Sequence, residues 1–454
     1  MGADRDHVVL RNKENDLEIF GELEMDGEGC RVAGIVPRLT RDNYFQFRPE
    51  ELHGVSTSRG SIWLERVSIS SSVYGNGPRP STVNLAAFTA YWGDFDPRAT
   101  PIQRISLPLH DLLQLSDVEL TNRSICHEDR THVSRSKIQP PSTVLLETGE
   151  FTIAIEYLST IGDDVTYRQA LFITFKVPVA YHRATMLIDT VVALIFLLTD
   201  SIMSTSTKTF YTDTHQMAHQ WKAGGTDRRI EDWRDWLEPP GKIVELLRKM
   251  LASWLREIPD EREVLRINKF FAAANPSVYI ETGFLSYCQC FEDLTRRRRP
   301  MRAMEKGHFD QSVLAPLKVV ITTLKAAGTI DKDLAGRLSW SIKQANDIPL
   351  KLRLAGAFES EPWWRKHLRE YVSDIFERVE SRRNNLSHGN PLGSILNQNE
   401  ANAVHLEREF MFLHCVGEIL FLGGLAEGEV NKLVQKSKTV SHIQWLAAKL
   451  HPRS

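Results

Sequence analysis

The strongest constraint on the fold of this chain is a change in the spacing of its apolar residues near residue 180. Before that point, apolar and polar residues alternate in short runs rich in β-branched and aromatic side chains, the pattern of half-buried strands. Clusters of Gly, Pro, Asn and Asp separate these runs, as turns require. After it, apolar residues recur at intervals of three and four, the pattern of amphipathic helices. The runs that predict strands are Leu17–Met25, Ser61–Ser70, Ser81–Trp92, Phe151–Tyr157 and Ala170–Val177.

This change of spacing predicts several domains. At 454 residues the chain is long for a single hydrophobic core. We expect a β-rich domain over residues 1–180, built as an antiparallel sandwich or barrel-like sheet, and a helical connecting region over 181–264. A bundle of four or more helices follows over 265–445. The predicted fold class is therefore α+β and multidomain.

Composition describes a soluble protein with no general affinity for polyanions. Apolar residues make up 42% and charged residues 25% of the chain, and the net charge is −2, so any RNA binding requires a local basic patch. Five scattered cysteines without framework spacing predict a reducing cytoplasm. Asp189 and Asp200 interrupt the most apolar run, Met186–Met203, which therefore predicts a buried helix and no membrane span.

The metal-ligand patterns in the sequence are incomplete. His215 and His219 have the spacing of a zinc protease motif, but Gln216 stands where that motif needs Glu. Cys288 and Cys290 are too close together for a zinc knuckle, and the stretch around Cys126 and His127 lacks a partner cysteine pair. The sequence also contains no P-loop and no dinucleotide fingerprint. We therefore expect neither a metal nor a cofactor.

One short motif near the C-terminal end carries chemistry: Arg383, Asn384 and His388, followed by Gly389. The helical pattern before it begins with Ser360 as a predicted N-cap. A fixed cation beside a titratable imidazole, with an amide between them, suits binding of phosphate and also transfer of a proton. The alternative is that the Arg and the His only cap the end of a helix.

The residues of this motif resemble those of a known protein family. The pattern Arg383-Asn-x-x-x-His388, with Gly after it at a predicted helix end, resembles the catalytic motif of HEPN-domain ribonucleases. Glu292-Asp293-Leu294 resembles the acidic end of a first HEPN helix. A β-rich domain followed by an apolar helix, a Ser/Thr tract at 201–209 and the stretch Ala252–Leu255 is similar to the ApeA-like branch of that family. The resemblance implies that the C-terminal bundle is an all-α HEPN domain.

The resemblance also implies an activity and a biological role. A metal-independent endoribonuclease would let the ribose 2′-OH attack its own 3′ phosphate, with His388 as general acid or base. Arg383 would stabilise charge on the phosphate, and Asn384 would orient His388 or the phosphate. The family suggests a toxin that acts in abortive infection against phage, with the β-rich domain sensing a phage-derived trigger or restraining the nuclease.

Further arginines are candidates for contact with RNA. Arg296, Arg297, Arg298 and Arg299 form the densest basic run of the chain, and Arg382 lies beside the motif. The run is either a solvated helix end or a surface that steers the RNA backbone.

The geometry of the motif predicts two copies of the chain. On an unbroken helix, Arg383 and His388 lie roughly 140° apart around the axis. Either the helix unwinds before His388, or the site is shared between protomers of a homodimer or a higher even oligomer. The apolar stripe that Arg382 and Arg383 flank favours the shared site.

Two other functions stay open. The first is an inactive HEPN-like module that dimerises and binds nucleotides or RNA. The second is a ligand sensor whose activity lies wholly in the β-rich domain. The complete motif favours the enzyme, because a module that only binds would be free to lose Asn384 or His388.

Overall fold

The structure is a computed structural model, and it divides the chain into two compact units, Met1–Pro259 and Asp260–Ser454. It describes residues 4–11, 18–25, 30–37, 51–73, 81–108, 142–161, 165–199, 207–222 except 215, 237–257 except 239, 267–273 except 269 and 272, 279–296, 302–360, 374–387 and 398–450.

A closed barrel of six antiparallel strands forms the first part of the N-terminal unit. The strands are β1 (Asp4–Arg11), β2 (Glu18–Met25), β3 (Cys30–Val36), β4 (Glu51–Ser56), β5 (Gly60–Val73) and β6 (Ser81–Gly93). They pair in the order β3-β2-β1-β4-β5-β6, and β6 closes the barrel by pairing with β3. Because successive side chains of a strand point to opposite faces, Val8 and Leu10 are buried in the barrel and Val9 faces outward.

The long strand β6 continues past the barrel into a second group of strands. Its first half pairs with β3, whereas Thr89–Gly93 pair with β12 (Met217–Lys222). The sheet then runs through β11, β7, β10, β9 and β8. Their bounds are Ile102–Pro108 for β7, Thr143–Glu147 for β8, Phe151–Ile161 for β9, Val165–Val179 for β10 and Thr207–Tyr211 for β11.

Two helices belong to the same unit. The helix α1 (Tyr181–Thr199) contacts β7, β10 and α2 (Pro240–Glu257), and α2 also contacts β8. Among the described helices, α1 alone is long and apolar enough to cross a membrane by length and composition, but it is mostly buried inside the protein. It thus packs as the buried core helix that its sequence predicts.

The prediction of a helical connecting region over 181–264 needs correction. The segments 207–211 and 217–222 are strands of the sheet, and the first compact unit extends to Pro259. The polar Lys208 and Gln220 obscured the alternation, because they occupy buried positions on the same face as Phe210 and Ala218. Lys208 pairs there with Asp189, and Gln220 donates to the Tyr181 hydroxyl. The five strand predictions are confirmed as parts of β2, β5, β6, β9 and β10, apart from Leu17, which lies outside the described residues.

The described part of the second unit is helical. Its helices are α3 (Ile280–Arg296), α4 (Lys306–Phe309), α5 (Ala315–Ala326), α6 (Lys332–Gln344), α7 (Leu350–Ser360), α8 (Ile375–Ser387), α9 (Gln398–Leu422), α10 (Glu427–Lys436) and α11 (Lys438–Leu450). A π-helical turn, Asp310–Leu314, joins α4 to α5. The central helix α9 packs against α3 and α11, and α8 packs against α3, α7 and α9. The predicted succession of a β-rich region and a helical region is confirmed.

The beginning of the motif helix differs from the prediction. Ser360 is the last residue of α7 and does not cap the helix that carries the motif. That helix, α8, begins at Ile375, and residues 361–373 lie outside the described part of the chain. Pro362 explains the error, because proline two residues after a helix end is as typical as proline in a first turn.

Candidate active site

The helix α8 positions the first two residues of the motif. It is helical through Ser387, so Arg383 and Asn384 occupy its last two turns. The Ser387 hydroxyl donates to the carbonyl oxygens of Arg383 and Asn384, which satisfies two acceptors at the helix end. His388 lies immediately after the described residues.

Arg383 is held by Glu292 of α3. Its Nη2 donates to both carboxylate oxygens of Glu292, at 3.1 and 3.4 Å, and Arg353 of α7 donates to the same carboxylate at 3.3 Å. The Arg383 side chain is nevertheless 36% exposed, whereas that of Glu292 is 14% exposed. The guanidinium is therefore held in place by Glu292 on a side chain that stays partly exposed to solvent.

Asn384 is oriented by its neighbour in the chain. The Arg383 Nη1 donates to the Asn384 Oδ1 at 3.1 Å, and the Asn384 side chain is exposed. Because this bond uses the amide oxygen, the amide nitrogen is the group that Asn384 presents as a donor. Arg383 and Asn384 thus offer N–H groups from one end of α8.

Arg382 points to a different helix. Its Nε and Nη2 donate to the two carboxylate oxygens of Glu407 on α9, and Arg378 Nε lies 3.5 Å from the same carboxylate. Glu407 has no exposed surface, and the two arginines compensate its charge inside the unit. Arg382 therefore has a structural task in this unit, and its contact with RNA stays a prediction.

The two carboxylates explain why charged residues border the apolar side of α8. Ile375 and Val379 of this helix are buried within their own unit, and Glu292 and Glu407 receive the arginines beside them. Together with Asp374, which accepts from Arg378 at 3.0 Å, the cluster contains four arginines and three carboxylates. These pairings compensate the charges beside the apolar side of α8 within the unit itself.

Of the basic run, only the first residue lies in the described part of the chain. Arg296 is the last residue of α3, and Arg297, Arg298 and Arg299 follow outside the described residues. A cation in the last turn of a helix is favoured by the helix dipole. The role of the run in RNA binding stays a prediction.

The incomplete metal patterns fall in different environments. His219 lies on the strand β12, not on a helix, where it stacks on Trp92 and burial lowers its pKa. Cys288 and Cys290 are buried in α3, and burial raises the pKa of the Cys288 thiol. His215, Cys126 and His127 lie outside the described residues. Among the residues that the structure describes, no three His, Cys, Asp or Glu side chains are grouped so that they could hold a metal ion.

Sequence reasoning missed Glu407, Arg353 and Arg378. A signal for Glu407 exists, because it stands three residues after Val404 and four before Met411, on an apolar face of α9, and a carboxylate at such a place is almost never buried without a partner. The partner helix could not be identified from spacing alone. Comparison with protein-family models and with curated proteins found no match for this chain.

Proposed function

We propose that this protein is a metal-independent endoribonuclease of the HEPN type and that the end of α8 is its active site. One observation carries the proposal: Arg383 is fixed by Glu292 and open to solvent, beside the exposed Asn384 and five residues before His388. A preorganised, partly exposed guanidinium is a group that can stabilise charge on a phosphate in a transition state.

In the proposed reaction, the ribose 2′-OH attacks the adjacent phosphorus and the bond from phosphorus to the 5′ oxygen breaks. His388 takes the proton of the 2′-OH or gives a proton to the leaving 5′ oxygen. Arg383 and Asn384 donate hydrogen bonds to the phosphate oxygens. The products are a 2′,3′-cyclic phosphate and a 5′-OH, and DNA is excluded as a substrate because it lacks the nucleophile.

The resemblance of the motif adds a role to this reaction. We propose that the nuclease acts in the cytoplasm as a toxin in abortive infection against phage. The N-terminal unit would sense a phage-derived trigger or restrain the nuclease, and the active form would be a homodimer or a higher even oligomer.

Cleavage of RNA by purified protein tests the proposal. We expect His388→Ala and Arg383→Ala each to lower the rate by about 10²- to 10⁴-fold, in excess EDTA as in its absence. Arg337→Ala is the matched control, because Arg337 is an exposed arginine of the same unit that pairs only with Asp333 among the described ion pairs. Sequencing of the cleaved ends should find cyclic phosphates and 5′-OH groups.

Cleavage that persists unchanged in a folded His388→Ala variant would contradict the assignment. Wild-type protein that binds RNA without cleaving it would favour the binding module instead. Activity that vanishes in EDTA and returns with Mg²⁺ would indicate a carboxylate site that the motif does not contain.

A further inference from the structure

The helices α5 and α6 form a hairpin whose exposed surface is unusually apolar. Gly328, with a φ of +70°, makes the turn between them, and Asp331 caps α6 by accepting from the Leu334 N–H at 2.7 Å. At the base of the hairpin, the Asn346 side chain accepts from the Met304 N–H at 2.8 Å and donates to the Met304 carbonyl at 3.0 Å. The hairpin is therefore a preorganised element.

The exposed apolar residues of α5 are spaced like those of a helix that packs on another helix. Leu317, Val320 and Leu324 follow one another at intervals of three and four, as residues of a coiled-coil seam do. Leu317, Val320 and Leu324 are exposed, and Val320 is 51% exposed. Both lysines of α5, Lys318 and Lys325, lie outside the half of the helix surface that contains this seam.

The second helix extends the same face. Among the described residues of the two helices, Ile321 of α5 and Ala335 of α6 are the buried ones, and they stand equally far along the chain from Gly328. In an antiparallel pair with these residues at the contact, the exposed Leu334 and Leu338 of α6 lie on the same side as Val320. We call the surface of Leu317, Val320, Leu324, Leu334 and Leu338 the hairpin face.

The area of the hairpin face is close to what a dimer needs. Its five side chains leave roughly 350 Å² of apolar surface exposed, while one partner of a standard interface contributes roughly 450 Å² of apolar surface. An uncharged aliphatic face is also complementary to itself, because two copies related by a two-fold axis bring no like charges together. Two hairpins would then form a four-helix arrangement.

We propose that a second copy of this chain covers the hairpin face. The hairpin face differs from the apolar stripe of α8, in which Ile375 and Val379 are already buried within one chain, so this contact between copies is separate from a shared active site. The proposal concerns assembly, so it can fail while the nuclease assignment holds, and the reverse is also possible.

The mass of the full chain in solution, measured by light scattering and sedimentation equilibrium, tests the proposal. We expect wild-type protein to be a dimer at about 10 µM. Val320→Glu and Leu317→Glu should each weaken association by at least about 100-fold, since a two-fold interface buries the new charge twice. Thr322→Glu is the matched control, because Thr322 is exposed on the opposite side of α5 and should leave the dimer intact.

Circular dichroism should find all three variants folded, because the substituted side chains are exposed in one copy of the chain. Wild-type protein that stays monomeric up to about 100 µM would overturn the proposal. A folded Val320→Glu variant that remains dimeric would overturn it too, and so would loss of the dimer in Thr322→Glu, because the effect would then not belong to this face.

Discussion

Single buried carboxylates decide where several arginines of this protein point. Glu407 directs Arg382 and Arg378 toward α9, while Glu292 directs Arg383 toward α3. Consecutive arginines on one helix thus have different tasks, because neighbouring positions are 100° apart around the axis. Arg382 compensates a fully buried charge, and Arg383 stays partly exposed.

Removal of the buried charge of Glu407 should destabilise the helical unit. We expect Glu407→Gln to lower the free energy of unfolding by about 3 kcal/mol, because Arg378 and Arg382 would lose the carboxylate that compensates them. Urea titration of both proteins measures the difference. Glu377→Gln on the exposed side of α8 is the control, with an expected change of at most about 0.5 kcal/mol. Equal effects of the two substitutions would contradict the structural role of Glu407.

Asp6 should make the barrel sensitive to acid. Its side chain is 5% exposed, and burial alone would raise its pKa, but hydrogen bonds from Ser56, Thr57 and Ser58 lower the pKa to about 2. Because the folded pKa lies below the unfolded value of about 4, the stabilisation is complete above about pH 4 and disappears as the pH falls through about 2.

Asp6→Asn should therefore cost about 2 kcal/mol near pH 7 and almost nothing near pH 2. Free energies of unfolding of both proteins, measured from pH 7 down to pH 2, give the difference. Asp213→Asn, in an exposed turn of the same unit, is the control. If the difference in free energy of unfolding between wild type and Asp6→Asn does not change with pH, the lost stability comes from packing and not from the charge of Asp6.

Among the elements, α8 joins the two charged pairs of the candidate site to the helical core. One face of it buries Ile375 and Val379, and its arginines reach α3 and α9 on either side. Because both partner helices pack against each other, the position of Arg383 depends on the packing of three helices. The strand β6 has a comparable role in the first unit, since it belongs to the barrel and to the strands beyond it.

The basic run at the end of α3 should affect the affinity for RNA and leave the rate of cleavage unchanged. Replacement of Arg296, Arg297, Arg298 and Arg299 by Gln should weaken RNA binding and lower the dependence of log Kd on log salt by up to about 4. The cleavage rate at saturating RNA should remain. Replacement of Lys432, Lys436, Lys438 and Lys449 on α10 and α11 by Gln provides a control with the same change of charge. An unchanged salt dependence would identify the run as a solvated helix end.

At the scale of the whole molecule, each unit has a core of its own. The barrel buries Val8, Leu10 and their neighbours, and the helical unit buries the apolar surfaces of α3, α9 and α11. The motif residues Arg383, Asn384 and His388 all belong to the second unit.

Mixing protomers that carry different substitutions tests whether the active site is shared between two copies of the chain. We expect a mixture of Arg383→Ala and His388→Ala protomers to regain part of the activity that each lacks alone, because one site of the mixed dimer would contain both intact residues. A mixture of Arg383→Ala with wild-type protomers, at the same ratio, gives the activity of a mixed dimer with one intact protomer. The recovered activity is compared with this value. No recovery in a verified mixed dimer would place both residues in one chain or require two whole motifs.

The sequence by itself determined the order of the two regions, because hydrophobic spacing reports on burial along each element regardless of its neighbours. It also predicted α1 as a buried helix and Arg383 and Asn384 as residues near the end of a helix. Only the tertiary structure decided that β6 closes a barrel with β3, and that Glu292 and Glu407 receive Arg383 and Arg382. These pairings join residues far apart in the chain, and the spacing of apolar residues contains no information on which distant element a side chain will meet.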